Sequence, residues 1–114
     1  MRFDILTLHP EMCRGPMGVS ILGRAAESGL IEIGIKDIRD HGHGRHRTVD
    51  DTPYGGGSGM VMRVDVVDAA IEAVRREGTH VVLMDAAGAR FTQADARRLA
   101  AHPHLVLVLS LIHI

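Results

Sequence analysis

The stretch that decides the fold is His80-Val81-Val82-Leu83-Met84-Asp85-Ala86-Ala87-Gly88. Residues 80–84 form a short, largely apolar run, which predicts a strand buried on both faces of a sheet. Asp85 and Gly88 interrupt this run, so the strand is expected to end in a loop there. Strands of this kind are typical of parallel sheets whose faces are covered by helices.

The residues on either side predict those covering helices. Val64–Arg76 has the period of an amphipathic helix, with Asp65 in the first turn, Arg75 and Arg76 in the last, and Gly78 after its end. Thr92-Gln93-Ala94-Asp95 resembles an acidic capping box and opens a helix to about Ala101. Residues 105–109, Leu-Val-Leu-Val-Leu, predict another buried strand.

The N-terminal third repeats the pattern. Residues 2–8 predict a strand, 10–18 a turn region with two Pro and two Gly, and 31–38 a strand with one polar face. Between them a helix is expected from Ser20 to a stop at Gly29, with Ile21, Leu22, Ala25 and Ala26 on one face. The alternation predicts an α/β fold with a mostly parallel sheet and flanking helices. Ligands of such sheets lie beyond the carboxyl ends of the strands, where Asp85–Gly88 falls.

Composition limits the class of protein. The chain has 114 residues, 46% of them hydrophobic, and a formal net charge of −1. One domain is expected, and no overall basic charge points to DNA, so nucleic-acid binding must be local. A single cysteine, Cys13, fits a reducing compartment, and no apolar stretch has the character of a signal peptide or the length of a membrane span. We expect a cytoplasmic, soluble protein without a membrane partner.

Residues 45–62 have neither a helical nor a strand period and contain four Gly in five residues, which suggests close approach of the backbone to a ligand. The spacing excludes a P-loop, a dinucleotide fingerprint and a nucleophile elbow. Backbone amides flanked by Arg45, Arg47 and Asp50 suit a phosphate or an unstacked RNA base. A flexible linker, and a metal site at His41, His43 and His46, remain alternatives.

Several segments together resemble the bacterial tRNA (guanine-N(1)-)-methyltransferases. They are Met1–Met12, Ser20-Ile-Leu-Gly-Arg-Ala, Asp37-Ile-Arg-Asp and, above all, His46-Arg-Thr-Val-Asp-Asp-Thr-Pro-Tyr-Gly-Gly-Gly-Ser-Gly-Met-Val-Met. The resemblance runs from residue 1 to about 108. It implies part of a SPOUT methyltransferase domain with a trefoil knot, a homodimer, and S-adenosylmethionine as methyl donor. The substrate implied is N1 of the guanine 3′ of the anticodon, in the tRNA anticodon loop.

The same resemblance implies the site residues. The first cofactor loop corresponds to Met84, Asp85, Ala86, Ala87 and Gly88, with Ala86 where the family often has Pro. The residues facing tRNA and the partner subunit correspond to Arg45, His46, Arg47, Asp50, Tyr54, Gly55, Gly56, Gly57, Ser58 and Gly59.

The C-terminal end departs from the family. After the last strand the family continues with Cys-Gly-x-Tyr-Glu-Gly, whereas this chain reads Leu109-Ser110-Leu111-Ile112-His113-Ile114. Residues 109–114 are therefore expected to be foreign, the knot to be incomplete, and the general-base Asp to lie beyond residue 114. We expect residues 105–109 to have an uncovered edge or face, and the isolated chain to be inactive and poorly soluble. A non-catalytic RNA-binding module and an α/β domain binding a phosphate ligand are the alternative functions.

Overall fold

A parallel sheet organises the chain. The computed structural model describes residues 1–42, 44, 50–51, 61–85 and 87–109. Within these residues the main sheet has four parallel strands, which are β1 (Arg2–Thr7), β2 (Glu32–Asp37), β5 (Thr79–Met84) and β6 (His104–Leu109). Their order in the sheet is β2-β1-β6-β5. The predicted α/β class, with a mostly parallel sheet and flanking helices, is confirmed.

The connections contain the helices and one small ladder. The helices are α1 (Pro10–Met17), α2 (Ser20–Glu27), α3 (Val64–Val74) and α4 (Gln93–Leu99), and a short 3-10 helix spans Ile38–His41. A two-residue antiparallel ladder pairs β3 (Asp50–Asp51) with β4 (Val61–Met62). The sequence pattern gave no sign of this ladder, because two residues are too few to show a period.

The prediction of a turn region at 10–18 is wrong, because α1 occupies most of it. Pro10 stands in the first turn, where its missing amide hydrogen costs nothing and its fixed φ suits a helix. Glu11 and Arg14 add an ion pair one turn apart. The prediction treated Pro and Gly as turn residues and did not consider that a Pro at the first position of a helix is favourable.

Helix α2 ends as its sequence predicts. Gly29 has a φ of +81°, in the left-handed region that glycine adopts without strain. The amide of Leu30 donates to the carbonyl of Ala25 at 3.0 Å, and that of Gly29 to Ala26 at 3.1 Å. These two bonds form a Schellman motif that satisfies the last carbonyls of the helix. The predicted apolar face is not buried, since Ile21 is 78% exposed.

One face of the sheet packs against α3 and forms the core. Leu6, Val106 and Val108 from β1 and β6 are buried with Val66 and Ala70 of α3. Consecutive strand residues point to opposite faces, so residues in register with these share this α3 face. Helix α3 ends at Val74, with Arg75 extended after it at ψ 138°. The prediction that the helix reaches Arg76 is therefore wrong by two residues.

The opposite face of the sheet is turned towards α4. Phe3, Val82 and Leu107 point to this α4 face, and Ala96 and Leu99 of α4 lie across from them.

Strand β5 is the edge strand of the sheet, and its predicted burial is wrong. Leu83 is 60% exposed and Met84 is 45% exposed. Strand β6 was expected to have an uncovered edge or face. Its edges are both paired, because it lies between β1 and β5, and Val106 and Val108 are buried, but Leu107 and Leu109 on its other face are only half-buried. The exposure falls on β5 because no other described strand pairs with its outer side, a relationship that local sequence does not reveal.

Candidate functional site

The loop that follows β5 lies at the carboxyl end of the sheet, where parallel sheets bind ligands. The strand ends at Met84, and Asp85 makes a tight turn. The amide of Ala87 donates to the side-chain oxygen Oδ1 of Asp85 at 3.0 Å, and the amide of Gly88 donates to its carbonyl at 3.0 Å. An aspartate that accepts from the residue two positions on is an Asx turn, so Asp85 shapes the loop.

Gly88 is the residue that this turn needs. A Cβ at this position would lie 3.2 Å from the carbonyl oxygen of Asp85, which is closer than ordinary van der Waals contact. A side chain at this position would require the carbonyl of Asp85 to shift by a few tenths of an ångström, and Gly88 avoids this shift.

A cavity of about 360 Å³ opens beside this turn, and we call it the loop cavity. Met84, Asp85 and Gly88 line it together with the outer side of β5. Its far wall comes from the β5–α4 connection and α4, through Phe91, Asp95, Arg98 and Leu99. A volume of this order is enough for a small ligand.

The α4 wall of the loop cavity is held by hydrogen bonds. Asp95 accepts from the amide of Thr92 at 2.9 Å and donates its own amide to the Thr92 hydroxyl at 3.2 Å, the predicted capping box. Arg98 Nη2 lies 3.0 Å from Asp95 Oδ1. The hydrogen bond from Arg98, followed by those from Thr92, lowers the pKa of Asp95, so this carboxylate is charged at neutral pH.

The structure brings part of the predicted cofactor site together. Met84, Asp85 and Gly88 line one cavity, Ala87 contributes its amide to the turn, and Ala86 lies outside the described residues. The sequence prediction missed Phe91 and Arg98. The capping box placed the start of α4, but it gave no sign that this helix faces the loop.

Most of the predicted tRNA-facing residues lie outside the described part of the chain. For Asp50 the structure gives the backbone, which pairs with Met62 across the β3–β4 ladder. The same ladder pairs Asp51 with Val61. The predicted tRNA-facing residues that lie outside the described part of the chain are Arg45, His46, Arg47, Tyr54, Gly55, Gly56, Gly57, Ser58 and Gly59. His43 and His46 of the metal alternative also lie outside them.

A second polar cluster lies at the amino ends of the strands, away from the loop. His104 is fully buried; its Nε2 lies 2.7 Å from Asp4 Oδ2 and its Nδ1 lies 2.6 Å from Thr79 Oγ1. Arg2 Nη2 donates to Asp4 Oδ1 at 2.9 Å, and Arg2 Nη1 donates to the exposed Glu32 at 3.2 Å. The carboxylate, imidazole and hydroxyl resemble a catalytic triad, but the buried imidazole is closed to any substrate, so the cluster is structural.

Burial and hydrogen bonding act in opposite directions on Asp4. Burial favours the neutral carboxyl, while the hydrogen bonds and charges of Arg2 and His104 favour the carboxylate. The second effect prevails and the pKa of Asp4 is lowered, so Asp4 carries its charge inside the fold.

Comparison with known proteins identifies the family. The family model described as tRNA (Guanine-1)-methyltransferase TrmD matches residues 1–111, which is nearly the whole chain. The chain belongs to the tRNA (guanine-1)-methyltransferase family. The family resemblance expected from the central motif is thereby confirmed.

Individual relatives agree with this family. The chain is 54% identical over 110 residues to the tRNA (guanine-N(1)-)-methyltransferase of Anaeromyxobacter sp. (strain K), in a match that covers 95% of this chain and 44% of that relative. It is 54% identical over 111 residues to the protein of the same name from Chloroflexus aggregans, and 44% identical over 108 residues to that from Dictyoglomus turgidum. In both cases 95% of this chain and 44% of the relative are covered. The chain thus spans less than half the length of the curated relatives it matches.

Two further structural facts concern the helices and the last strand. None of the helices in the described part of the chain is both long and apolar enough to cross a membrane. Leu109 ends β6, and residues 110–114 lie outside the described residues.

Proposed function

We propose that this chain is part of an enzyme that methylates N1 of a guanine in tRNA, with S-adenosylmethionine as the donor. The observation that carries the proposal is the match of the guanine-1 methyltransferase model to residues 1–111. The loop cavity at the carboxyl end of β5 supports it, because a small ligand can bind there beside a tight backbone turn.

The residues of the loop cavity fit the proposed donor. The donor supplies an electrophilic methyl group on a positively charged sulfur. Asp85 and Asp95 put carboxylates in the cavity wall that suit a cation and ribose hydroxyls, and Met84 and Phe91 offer apolar surface for an adenine ring. Asp85 also accepts the hydrogen bonds that hold the turn, so the backbone amides of Ala87 and Gly88 are positioned before the donor binds.

The tRNA side of the proposal rests on the central motif. Arg45 and Arg47 suit the phosphates of an anticodon loop, and Asp50 suits a base edge that donates protons. The proposed target is the guanine 3′ of the anticodon. Residues 54–57 and 59 would approach it through their backbone in a homodimer, in which the second subunit completes the site.

Methylation of N1 requires that the N1 proton leave, and a general base does this best from within hydrogen-bond reach. We propose that this base is an Asp beyond residue 114, in the trefoil-knotted part of the SPOUT domain. Residues 1–108 would then supply the first cofactor loop and tRNA contacts, in the cytoplasm, and residues 109–114 would be foreign to the family. DNA sequence running through codon 109 into genomic flank would contradict the last point.

The test is a chimera of family length. Residues 1–108 replace the corresponding region of the Anaeromyxobacter relative, and the purified protein is incubated with tritiated S-adenosylmethionine and a tRNA transcript. We expect label in a transcript with G 3′ of the anticodon and none in a control transcript with A there. Label in neither transcript, from a folded chimera that binds tRNA, would instead favour the RNA-binding alternative.

A further inference from the structure

A row of polar side chains crosses all four strands of the main sheet at their amino ends, and we call it the polar row. Its members stand in register from strand to strand and are Glu32, Arg2, His104 and Thr79. Asp4 lies two residues after Arg2 on β1, so its side chain points to the same face. This is the α3 face, because Leu6 and Val106 continue the same spacing and pack against α3.

Asp4 fixes a proton on one nitrogen of His104. The Nε2 atom of His104 lies 2.7 Å from Oδ2 of Asp4. Burial acts to raise the pKa of Asp4, but the hydrogen bonds from Arg2 and His104 lower it overall, so this carboxyl group is ionised at neutral pH. An ionised carboxylate can only accept hydrogen bonds, so the hydrogen of this bond belongs to Nε2.

Thr79 determines the state of the other ring nitrogen. Its hydroxyl oxygen accepts from the backbone amide of Arg76 at 2.9 Å and lies 2.6 Å from Nδ1 of His104. The hydroxyl has a single hydrogen to donate, and within the described part of the chain Nδ1 is the acceptor that the structure offers it. A proton on Nδ1 would leave this hydrogen unpaired beside a fully buried ring. His104 is therefore neutral, and it donates to Asp4 and accepts from Thr79.

The apolar pattern of the neighbouring strands does not fix their register by itself. Residues 81–84 of β5 and 105–109 of β6 are apolar at every position. A shift of β5 by one residue would exchange one apolar set of side chains for another, so burial alone distinguishes the two registers poorly. The polar residues at the start of the two strands, Thr79 and His104, do distinguish them.

We propose that the polar row is a register lock, in which a neutral His104 with its proton on Nε2 holds β5 in place against β6 and β1. A slip of β5 by one residue would turn Thr79 to the opposite face, and a slip by two would move it about 7 Å along the strand. Either slip would leave Nδ1 of the buried ring without a partner, which is unfavourable. The lock goes beyond the proposed function, since it concerns the fold and not methyl transfer.

Two substitutions of Thr79 in the chimera test the lock. Thr79→Val keeps the shape of the side chain but removes the hydroxyl group, and Thr79→Ser is the matched control because it keeps the hydroxyl. Amide hydrogen exchange is measured for residues 80–84. We expect exchange to be at least about tenfold faster in Thr79→Val and to change by less than about twofold in Thr79→Ser, because β5 opens more often without the lock. Equal exchange in the two variants would overturn the proposal.

Nitrogen NMR of the unsubstituted chimera, with labelled histidine at neutral pH, tests the proton assignment directly. The ring of His104 is identified through its correlations with the His104 backbone. We expect the chemical shift of a protonated nitrogen at Nε2 and that of an unprotonated nitrogen at Nδ1. Protons on both nitrogens, or on Nδ1 alone, would overturn the proposal. This measurement needs no substitution, so it decides the matter even if Thr79→Val does not fold.

Discussion

Replacing Asp4 with Ala removes the one carboxylate that holds both Arg2 and the buried His104. Asp4 is 3% exposed and His104 is fully buried, so water cannot take its place. Removing one partner of a buried ion pair costs about 3–5 kcal/mol, because the remaining charge stays buried. Since the Arg2 side chain is 27% exposed and keeps part of its hydration, we expect about 3 kcal/mol, the lower end of this range.

Urea unfolding of the chain at low micromolar concentration, followed by circular dichroism, measures this loss. With a slope of about 1–3 kcal/mol per molar, the midpoint should fall by about 1–3 M. Glu32→Ala is the matched control: it removes the other carboxylate that binds Arg2, but this one is 73% exposed. An exposed pair contributes less than about 1 kcal/mol, so the control should unfold almost normally. If both variants lost equal stability, burial would not decide the strength of this cluster.

The pH dependence gives a second readout for the same residue. The pKa of Asp4 is lower in the folded protein than its ordinary value, so its contribution to stability is complete above the ordinary value of about 3.9. It is lost as the pH falls below that value towards the folded pKa. The Asn side chain of the Asp4→Asn variant cannot titrate. The free energy of unfolding of this variant should therefore change less between pH 5 and pH 3 than that of the unsubstituted chain, and urea unfolding of both proteins across this pH range measures the difference. Parallel curves would contradict the reasoning.

The remaining predictions concern glycines, a strained residue and the isolated chain. Gly34→Ala should lower the free energy of unfolding by about 1–3 kcal/mol, because its Cβ would clash with both Arg2 Nη2 and Asp4 Oδ1; an unchanged urea midpoint would contradict this. Ser20→Gly should raise it by about 1 kcal/mol, since Ser20 has a φ of +59°; thermal unfolding would show a higher midpoint. Gly88→Val should weaken donor binding by the chimera at least about tenfold in calorimetry while far-ultraviolet dichroism stays unchanged, because the turn must open. The 114-residue chain alone should transfer no methyl group to tRNA, and robust turnover would refute the proposed place of the general base.

Local patterns in the sequence predicted the order of the long elements. The capping box at Thr92 and the helix end at Gly29 depend on hydrogen bonds between residues close in sequence. The residue types at these positions therefore predict both helix boundaries. Helix α1 was missed because its first turn begins at a Pro, a residue that is common both in turns and at helix starts.

Features that depend on strand order were not predictable in this way. Asp4 and His104 are 100 residues apart in sequence and meet because β6 pairs with β1. In the same way, the exposure of Leu83 follows from the edge position of β5 and not from its apolar neighbours. The loop after β5 could be predicted as a ligand site, because ligands of parallel sheets bind at the carboxyl ends of the strands. Arg98 could not be predicted as a residue of this site, because its position depends on how α4 crosses the sheet.

The most direct test of the proposed activity is mass spectrometry of tRNA after reaction with the chimera. Nuclease fragments should show one added methyl group, located on N1 of the guanine 3′ of the anticodon, and none when that guanine is replaced. A methyl group at another nucleotide, or at another atom of that guanine, would contradict the account.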